Sequence, residues 1–209
     1  GPKMTSQFGF FFNSYSCSGC KACQIACRDK NNLETDRLWR KIIEVTGGGW
    51  TNRGDAWHST VFSYNISMAC NHCEEPICVK VCPTKSIYKR EDGIVLINSD
   101  TCAGCHYCEW ACPYGAPHYN RKASYMTKCN LCVDRIDQGL APACVSVCGL
   151  RALEFGEITD LRKKQEETDL IYPLPEESLT QPSIIIKPHK NASKAQKLPA
   201  GVVNREEMI

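Results

Sequence analysis

Sixteen of the 209 residues are cysteine, and they fall into four groups of four. Group one is Cys17, Cys20, Cys23 and Cys27, and group two is Cys70, Cys73, Cys78 and Cys82. Group three is Cys102, Cys105, Cys108 and Cys112, and group four is Cys129, Cys132, Cys144 and Cys148. Three chemistries use cysteine this densely: a disulfide framework, zinc sites, or iron–sulfur clusters. Disulfide frameworks belong to short secreted chains, and no charged n-region or apolar core follows Met4 to mark a secretory leader. Zinc also uses Cys-x2-Cys pairs, but two ligands per loop suffice for it. Groups one and three run Cys-x2-Cys-x2-Cys-x3-Cys, which exceeds that need and matches the bacterial iron–sulfur pattern. Pro83 and Pro113 follow groups two and three as that pattern has it, whereas Arg28 and Gly149 follow groups one and four.

In the two-cluster pattern the fourth cysteine of a run ligates the other cluster, so groups work in pairs. Pairing the inner groups, two and three, and the outer groups, one and four, uses every cysteine. Four expected [4Fe–4S] clusters result. Cluster 1 takes Cys17, Cys20, Cys23 and Cys148, and cluster 2 takes Cys27, Cys129, Cys132 and Cys144. Cluster 3 takes Cys70, Cys73, Cys78 and Cys112, and cluster 4 takes Cys82, Cys102, Cys105 and Cys108. Each iron is then capped by thiolate, leaving no open position for a substrate and no free thiol as a nucleophile.

The elements that must position these ligands follow from the spacing. Each group ends in Cys-x3-Cys, which sets two sulfurs on one face of a short helix. The loop before it should turn successive backbone N–H groups inward. Strand-like runs occur at Phe8 to Phe12, Thr60 to Ser67, and Ile94 to Ile97 after the turn Glu91-Asp92-Gly93. The expected fold class is α+β: two bacterial-ferredoxin-like units with inserted loops and short strands, and an extended C-terminal arm. Residues 1–3 read as a tag scar, Gly1-Pro2 preceding Met4. Residues 4–59 hold group one and an insertion, 60–120 the inner unit, 121–156 group four, and 157–209 the arm. A short surface helix is expected around Ile158 to Glu167. The proline-punctuated stretch beyond it contains Ser183 to Ile186, a run with little to bury against in its own domain, so the arm is expected to dock on a partner.

Formal charge is +2 with neutral cysteines, yet four cubanes with their thiolates would add about −8 and leave about −6. That excludes nucleic acid as the natural partner. Lys21, Arg28, Lys80, Lys85, Arg90 and Lys128, threaded among the cysteines, read either as offsets to buried negative charge or as ordinary solvated side chains. His72 and His106 read as loop residues near clusters, with tuning of potential as the alternative. Tyr107, Trp110, Tyr114 and Tyr119 are expected to shield clusters from water. No apolar run approaches the ~20 residues of a membrane helix. No phosphate loop, flavin or nicotinamide fingerprint, or Ser/His/Asp constellation is present, so no catalytic site is expected on this chain.

Beyond the cysteines, the chain carries Gly-Gly-Gly-Trp (47–50), Ala-Trp-His (56–58), Cys-Asn-His-Cys-Glu (70–74), Lys-Arg-Glu-Asp-Gly (89–93), Ala-Cys-Pro-Tyr-Gly-Ala-Pro (111–117), Met-Thr-Lys-Cys (126–129), Arg-Ala-Leu-Glu-Phe-Gly (151–156) and Ile-Lys-Pro (186–188). With them it resembles the iron–sulfur electron-transfer subunits of the dimethyl sulfoxide reductase branch of the molybdopterin oxidoreductase family. The resemblance implies two partners, a molybdopterin catalytic subunit and a quinol-oxidising membrane-anchor subunit, and no direct membrane span. It implies that cluster 1 lies nearest the catalytic subunit and cluster 4 nearest the quinol site. It also implies a peripheral position on the membrane, on the extracytoplasmic face by co-export with the catalytic subunit; a cytoplasmic-facing complex would have the same sequence. The expected function is therefore electron transfer within such a complex. The same role in a formate dehydrogenase or a polysulfide, thiosulfate or arsenate reductase stays open, as does a stand-alone polyferredoxin.

Overall fold

The computed structural model describes residues 6–164 and 170–208. The tag-scar residues 1–3, Met4, and the expected end of the surface helix at Gln165 to Glu167 lie outside the described residues.

Short elements alternate along the chain. β1 (Phe8–Asn13) leads into α1 (Ala22–Lys30), which carries Cys23 and Cys27. The stretch between groups one and two folds as β2 (Lys41–Gly47), β3 (Trp50–Arg53) and β4 (Ala56–Ser59), followed by β5 (Phe62–Met68). The inner unit contains α2 (Ile77–Lys80), β6 (Ile87–Lys89), β7 (Val95–Ile97), α3 (Tyr107–Ala111) and β8 (His118–Asn120). β9 (Tyr125–Thr127), α4 (Val133–Ile136), α5 (Ala143–Ser146), β10 (Leu153–Glu157) and α6 (Ile158–Arg162) follow. β11 (Ile184–Lys187) and β12 (Ala200–Val202) come last. The chain is α+β, and among the described residues no helix exceeds nine residues, so tertiary packing must hold them, since isolated helices this short are marginal in water.

β1 is the centre strand of a three-stranded sheet, antiparallel to β10 and parallel to β11. Its side chains alternate as a strand requires. Phe10 and Phe12 enter the main core, while Phe11 packs on the other face with Ile158, Leu161 and Ile185. Gly9 permits the close pairing, because a Cβ there would stand 2.4 Å from the Ser183 carbonyl oxygen. A second sheet runs β12-β2-β5 and contributes Ile42, Ile43, Val45, Phe62, Tyr64 and Ile66 to the same core. β3–β4, β6–β7 and β8–β9 are separate hairpins.

The expected isolation of Ser183 to Ile186 is corrected here. Ser183 is fully buried, and Ile184, Ile185 and Ile186 are at most 1% exposed, because β1 offers both a free edge and two apolar faces. β12 closes the second sheet in the same way, and the Asn204 amide donates to the Ile42 carbonyl while accepting the Glu44 N–H. The residues after 170 thus build part of the domain that carries the cysteines. α6 is likewise not a surface helix on all sides, since Ile158 and Leu161 are buried.

Candidate metal centres

The elements bring the outer and inner groups together separately. α1 of group one packs on α5 of group four, and α2 of group two packs on α3 of group three. Each Cys-x2-Cys loop contains residues in the left-handed conformation: Gly19 and Lys21, His72, Gly104 and His106, then Leu131 and Cys132. Such reversals curl the backbone so that its N–H groups line the concave side. Gly19 does so at φ +72°, with the Asn65 side chain 2.8 Å from where a Cβ would stand. Backbone N–H groups reach sulfur at Leu131 to Cys129 (3.4 Å), Ala152 to Cys148 (3.3 Å) and Met126 to Cys102 (3.5 Å).

Two cavities are walled by cysteine quartets. Cys17, Cys20, Cys23 and Cys148 line one, with Phe12, Ile42, Ala152 and Leu153 behind them. Cys70, Cys73, Cys78 and Cys112 line the other, with Pro76, Ile77, Pro113 and Tyr114. Around Cys27 the neighbouring thiols are Cys144 and Cys132, and Cys27 and Cys144 also flank Cys129. Cys108 has Cys102 and Cys105 beside it, and Cys82 packs in the same cluster. These quartets adjoin in sequence. Cys23 of the first faces Cys144 of the second, Cys129 of the second faces Cys70 of the third, and Cys78 of the third packs with Cys82, Cys102 and Cys108 of the fourth. None of the sixteen cysteines is joined in a disulfide, and among the described residues no three His, Cys, Asp or Glu side chains converge as for a single ion. Sulfurs spread around a cavity suit a cubane, which presents a metal at each of several corners.

Residues 61–158 match the family model described as a 4Fe-4S dicluster domain. Over 205 residues, 98% of this chain and 100% of the relative, the sequence is 46% identical to the B subunit of anaerobic dimethyl sulfoxide reductase from Escherichia coli (strain K12). The protein belongs to that subunit family. Within the wider similarity, the B subunit of polysulfide reductase from Wolinella succinogenes is 40% identical over 191 residues, 90% of this chain and 97% of that protein. The thiosulfate reductase electron transfer subunit PhsB of Salmonella typhi is 35% identical over 158 residues, 75% of this chain and 79% of that protein. As a member of the dimethyl sulfoxide reductase B-subunit family with this domain, the molecule binds [4Fe–4S] clusters.

The residues present fit such groups. Burial pushes the Cys17, Cys27 and Cys108 thiols up to about 11 and those of Cys73 and Cys78 to about 12. These are thiols that ionise only when something positive arrives, and iron supplies that charge. Burial also raises Cys82, but hydrogen bonds from the Ile87, Ser86 and Thr84 backbone and the Thr84 hydroxyl outweigh it and hold this thiol below its ordinary value. The Cys73 thiol donates to Thr180 Oγ1 at 3.2 Å; once the thiol ionises, the hydroxyl donates instead.

Buried polar groups point the same way. His72 is 1% exposed, its Nδ1 accepts the Val95 N–H at 2.9 Å, and its Nε2 has no partner. Desolvation first, then the Lys128, Arg40 and Lys89 charges, keeps the ring neutral, so its one hydrogen sits on Nε2. The residue lines the cavity of the third quartet beside its four cysteines and the equally unpartnered Asn71 side chain. His106 differs: it is half-exposed, hydrogen-bonded to Glu109 at 2.6 Å, stacked near Trp110 and tilted against Tyr119.

Of the six basic residues singled out by sequence, Lys128 alone is buried, with Nζ on the Val95 and Cys129 carbonyls. Lys21 pairs with Glu44 and Glu207, Lys80 with Glu75, and Arg90 with Asp92 and Asp137, at the surface. Tyr114 is buried in the wall of the third quartet's cavity, and Tyr119 packs with the side chains around Cys82, Cys102 and Cys108, positions from which shielding is open to them. Tyr107 and Trp110 are corrected: they are 51% and 73% exposed and face outward. Sequence reasoning missed Ser67, Thr180 and Arg40, none of which lies in a cysteine loop; their placement depends on β5, the arm and the approach to β2.

Proposed function

We propose that this chain passes electrons between a quinol-oxidising membrane-anchor subunit and a molybdopterin catalytic subunit of a dimethyl sulfoxide reductase-like complex. Electron transfer is the function of the chain. Four [4Fe–4S] clusters, held by the four quartets named above, would supply it when bound by taking up and passing on one electron at a time. The observation that carries this reading is the contiguity of the quartets from first to fourth, which a wire needs and a diffusing carrier does not. The protein's own part is to hold sixteen thiolates in place, exclude water with Phe12, Ile42 and Tyr114, and set donors and cations against the negative sites. No catalytic residues are assigned to it.

Two exposed surfaces support docking on partners. The β3–β4 hairpin is exposed along its whole length, with Trp50 at 64% and Trp57 at 66%. A two-stranded hairpin with bare tryptophans is marginal alone and suits a covered site. Tyr107 and Trp110 make the other surface, beside the fourth quartet. In the C-terminal stretch, Leu179 and Val203 are also exposed. Among the described residues no helix is long and apolar enough to cross a membrane. Attachment through the anchor subunit, on the extracytoplasmic face by co-export, completes the proposal.

Purification of the complex from native membranes under anaerobic conditions tests it by metal content. Molybdenum with a large pterin subunit, a small membrane subunit and about sixteen irons on this chain is the expected result. A free chain carrying iron alone would favour a polyferredoxin carrier instead. Cys105→Ser is expected to convert or destroy one cluster and to stop quinol-dependent turnover, with the other cluster signals retained. Normal quinol-linked turnover in that variant would rule out a linear path through group three.

A further inference from the structure

Arg40 is 1% exposed and carries a permanent charge, a costly combination unless something negative answers it. Among the described residues no carboxylate pairs with it. Its Nη1 donates to Ser67 Oγ at 3.1 Å, its guanidinium lies 4.5 Å from the centre of the Phe10 ring, and Nε and Nη2 have no partner. Guanidinium nitrogen only donates, so the Ser67 oxygen accepts from Arg40 and its own hydrogen is left for Cys23 Sγ, 3.3 Å away. The thiols surrounding the charge are Cys144, Cys23, Cys129 and Cys27, three from the second quartet and one from the first.

We infer that Arg40 is the internal counter-charge of the outer cluster pair: its free Nε–H and Nη2–H donate to sulfur at the second quartet, and its Nη1 acts on Cys23 of the first through Ser67. The inference rests on the cluster assignment proposed above. Arg40 is a positioning residue, acting on the ligands and through Ser67. Reduction adds negative charge to a site that is already negative and shielded from water. A fixed cation and N–H donors favour the reduced form more than the oxidised one, so Arg40 raises the reduction potentials of clusters 1 and 2. The third quartet lies one step further: the Arg40 charge is still felt at His72 in its wall, where Lys128 acts more strongly, and the fourth quartet lies beyond that.

Potentiometric titration followed by electron paramagnetic resonance, on the assembled complex, reads this directly. Arg40→Gln is expected to lower the reduction equilibrium of both outer clusters at least tenfold, about 59 mV for a one-electron couple. The third cluster should shift by less than either outer one, the fourth should not move, and Arg40→Lys should restore most of the loss. Unmoved outer potentials in Arg40→Gln, or an equal shift of all four, overturns the inference. If Arg40→Gln does not assemble, the unaltered protein grown with guanidino-15N arginine answers instead. A 15N coupling on a reduced outer cluster is expected in pulsed resonance, and its absence is a refutation. Iron and sulfide content of the unaltered chain is measured alongside. A shortfall there fails the four-cluster reading, whereas full iron with unmoved potentials fails Arg40 alone.

Discussion

Removing residues 183–209 is expected to leave no soluble, iron-loaded chain. The deletion takes β11 from β1 and β12 from β2, which opens one edge of both three-stranded sheets. Ile184 and Ile186 leave the main core and Ile185 leaves the opposite face. A single buried isoleucine cut to alanine costs about 2–5 kcal/mol, and whole domains are stable by only about 5–15 kcal/mol. Polar losses add to this, because Ser183 Oγ holds the His72 carbonyl inside the third quartet's loop and Asn204 ties down β2. Ile186→Ala is the graded version: clusters are retained at low temperature and released several degrees earlier on heating. Iron per chain and sedimentation decide the matter. A truncated chain that keeps full iron and loses only a co-purifying subunit would make the arm a docking element and nothing more.

Stripping the iron anaerobically with a chelator is expected to unfold most of the protein. Each quartet borders a cavity or a core cluster, so the metal groups occupy space that side chains would otherwise have to fill. The pH dependence follows from the thiols. In the metal-free fold, Cys17, Cys27 and Cys108 stand at about 11 and Cys73 and Cys78 at about 12, above the roughly 8.5 of an unfolded cysteine. A folded value raised in this way means the fold binds the proton more tightly. The resulting stability is complete below about pH 8.5 and is lost as pH rises through the folded values. Structure surviving in the stripped chain at pH 7 should therefore melt between about pH 9 and 12. The loaded protein has no such thiols to titrate and should hold its circular dichroism through the lower part of that range. Equal alkaline sensitivity of both forms would show that the thiols are not what limits the stripped fold.

The chemistry was legible because cysteine spacing is local. Each Cys-x3-Cys pair meets a helix at α1, α2, α3 or α5, although only α1 spans both of its cysteines. β1, β5 and β7 fall where apolar runs indicated strands. What escaped is what distance in sequence conceals. Three consecutive isoleucines look homeless until β1 presents two apolar faces at once, one with Phe10 and Phe12 and one with Phe11. Arg40 sits next to Lys41 and looks equally solvated in the sequence. It becomes an interior charge only because β5 brings Ser67 across from it. β2 has a strand's composition in Ile42, Ile43 and Val45, but it lies in a stretch that no cysteine marks.

The outer pair of groups is closed by β1 and β10, with Phe10 opposite Phe155, whereas the inner unit lies in one continuous stretch between them. Its hairpins β6–β7 and β8–β9 pair residues only a few positions apart. Loop closure over a long separation is slow and must precede the contacts that reward it. The hairpins of the inner unit can therefore close while the first and fourth groups are still strangers. The third quartet's own loop, however, is tied to Thr180 and Ser183, so the last closures, of β1 with β10 and β11, are ones that inner and outer metal alike must wait for.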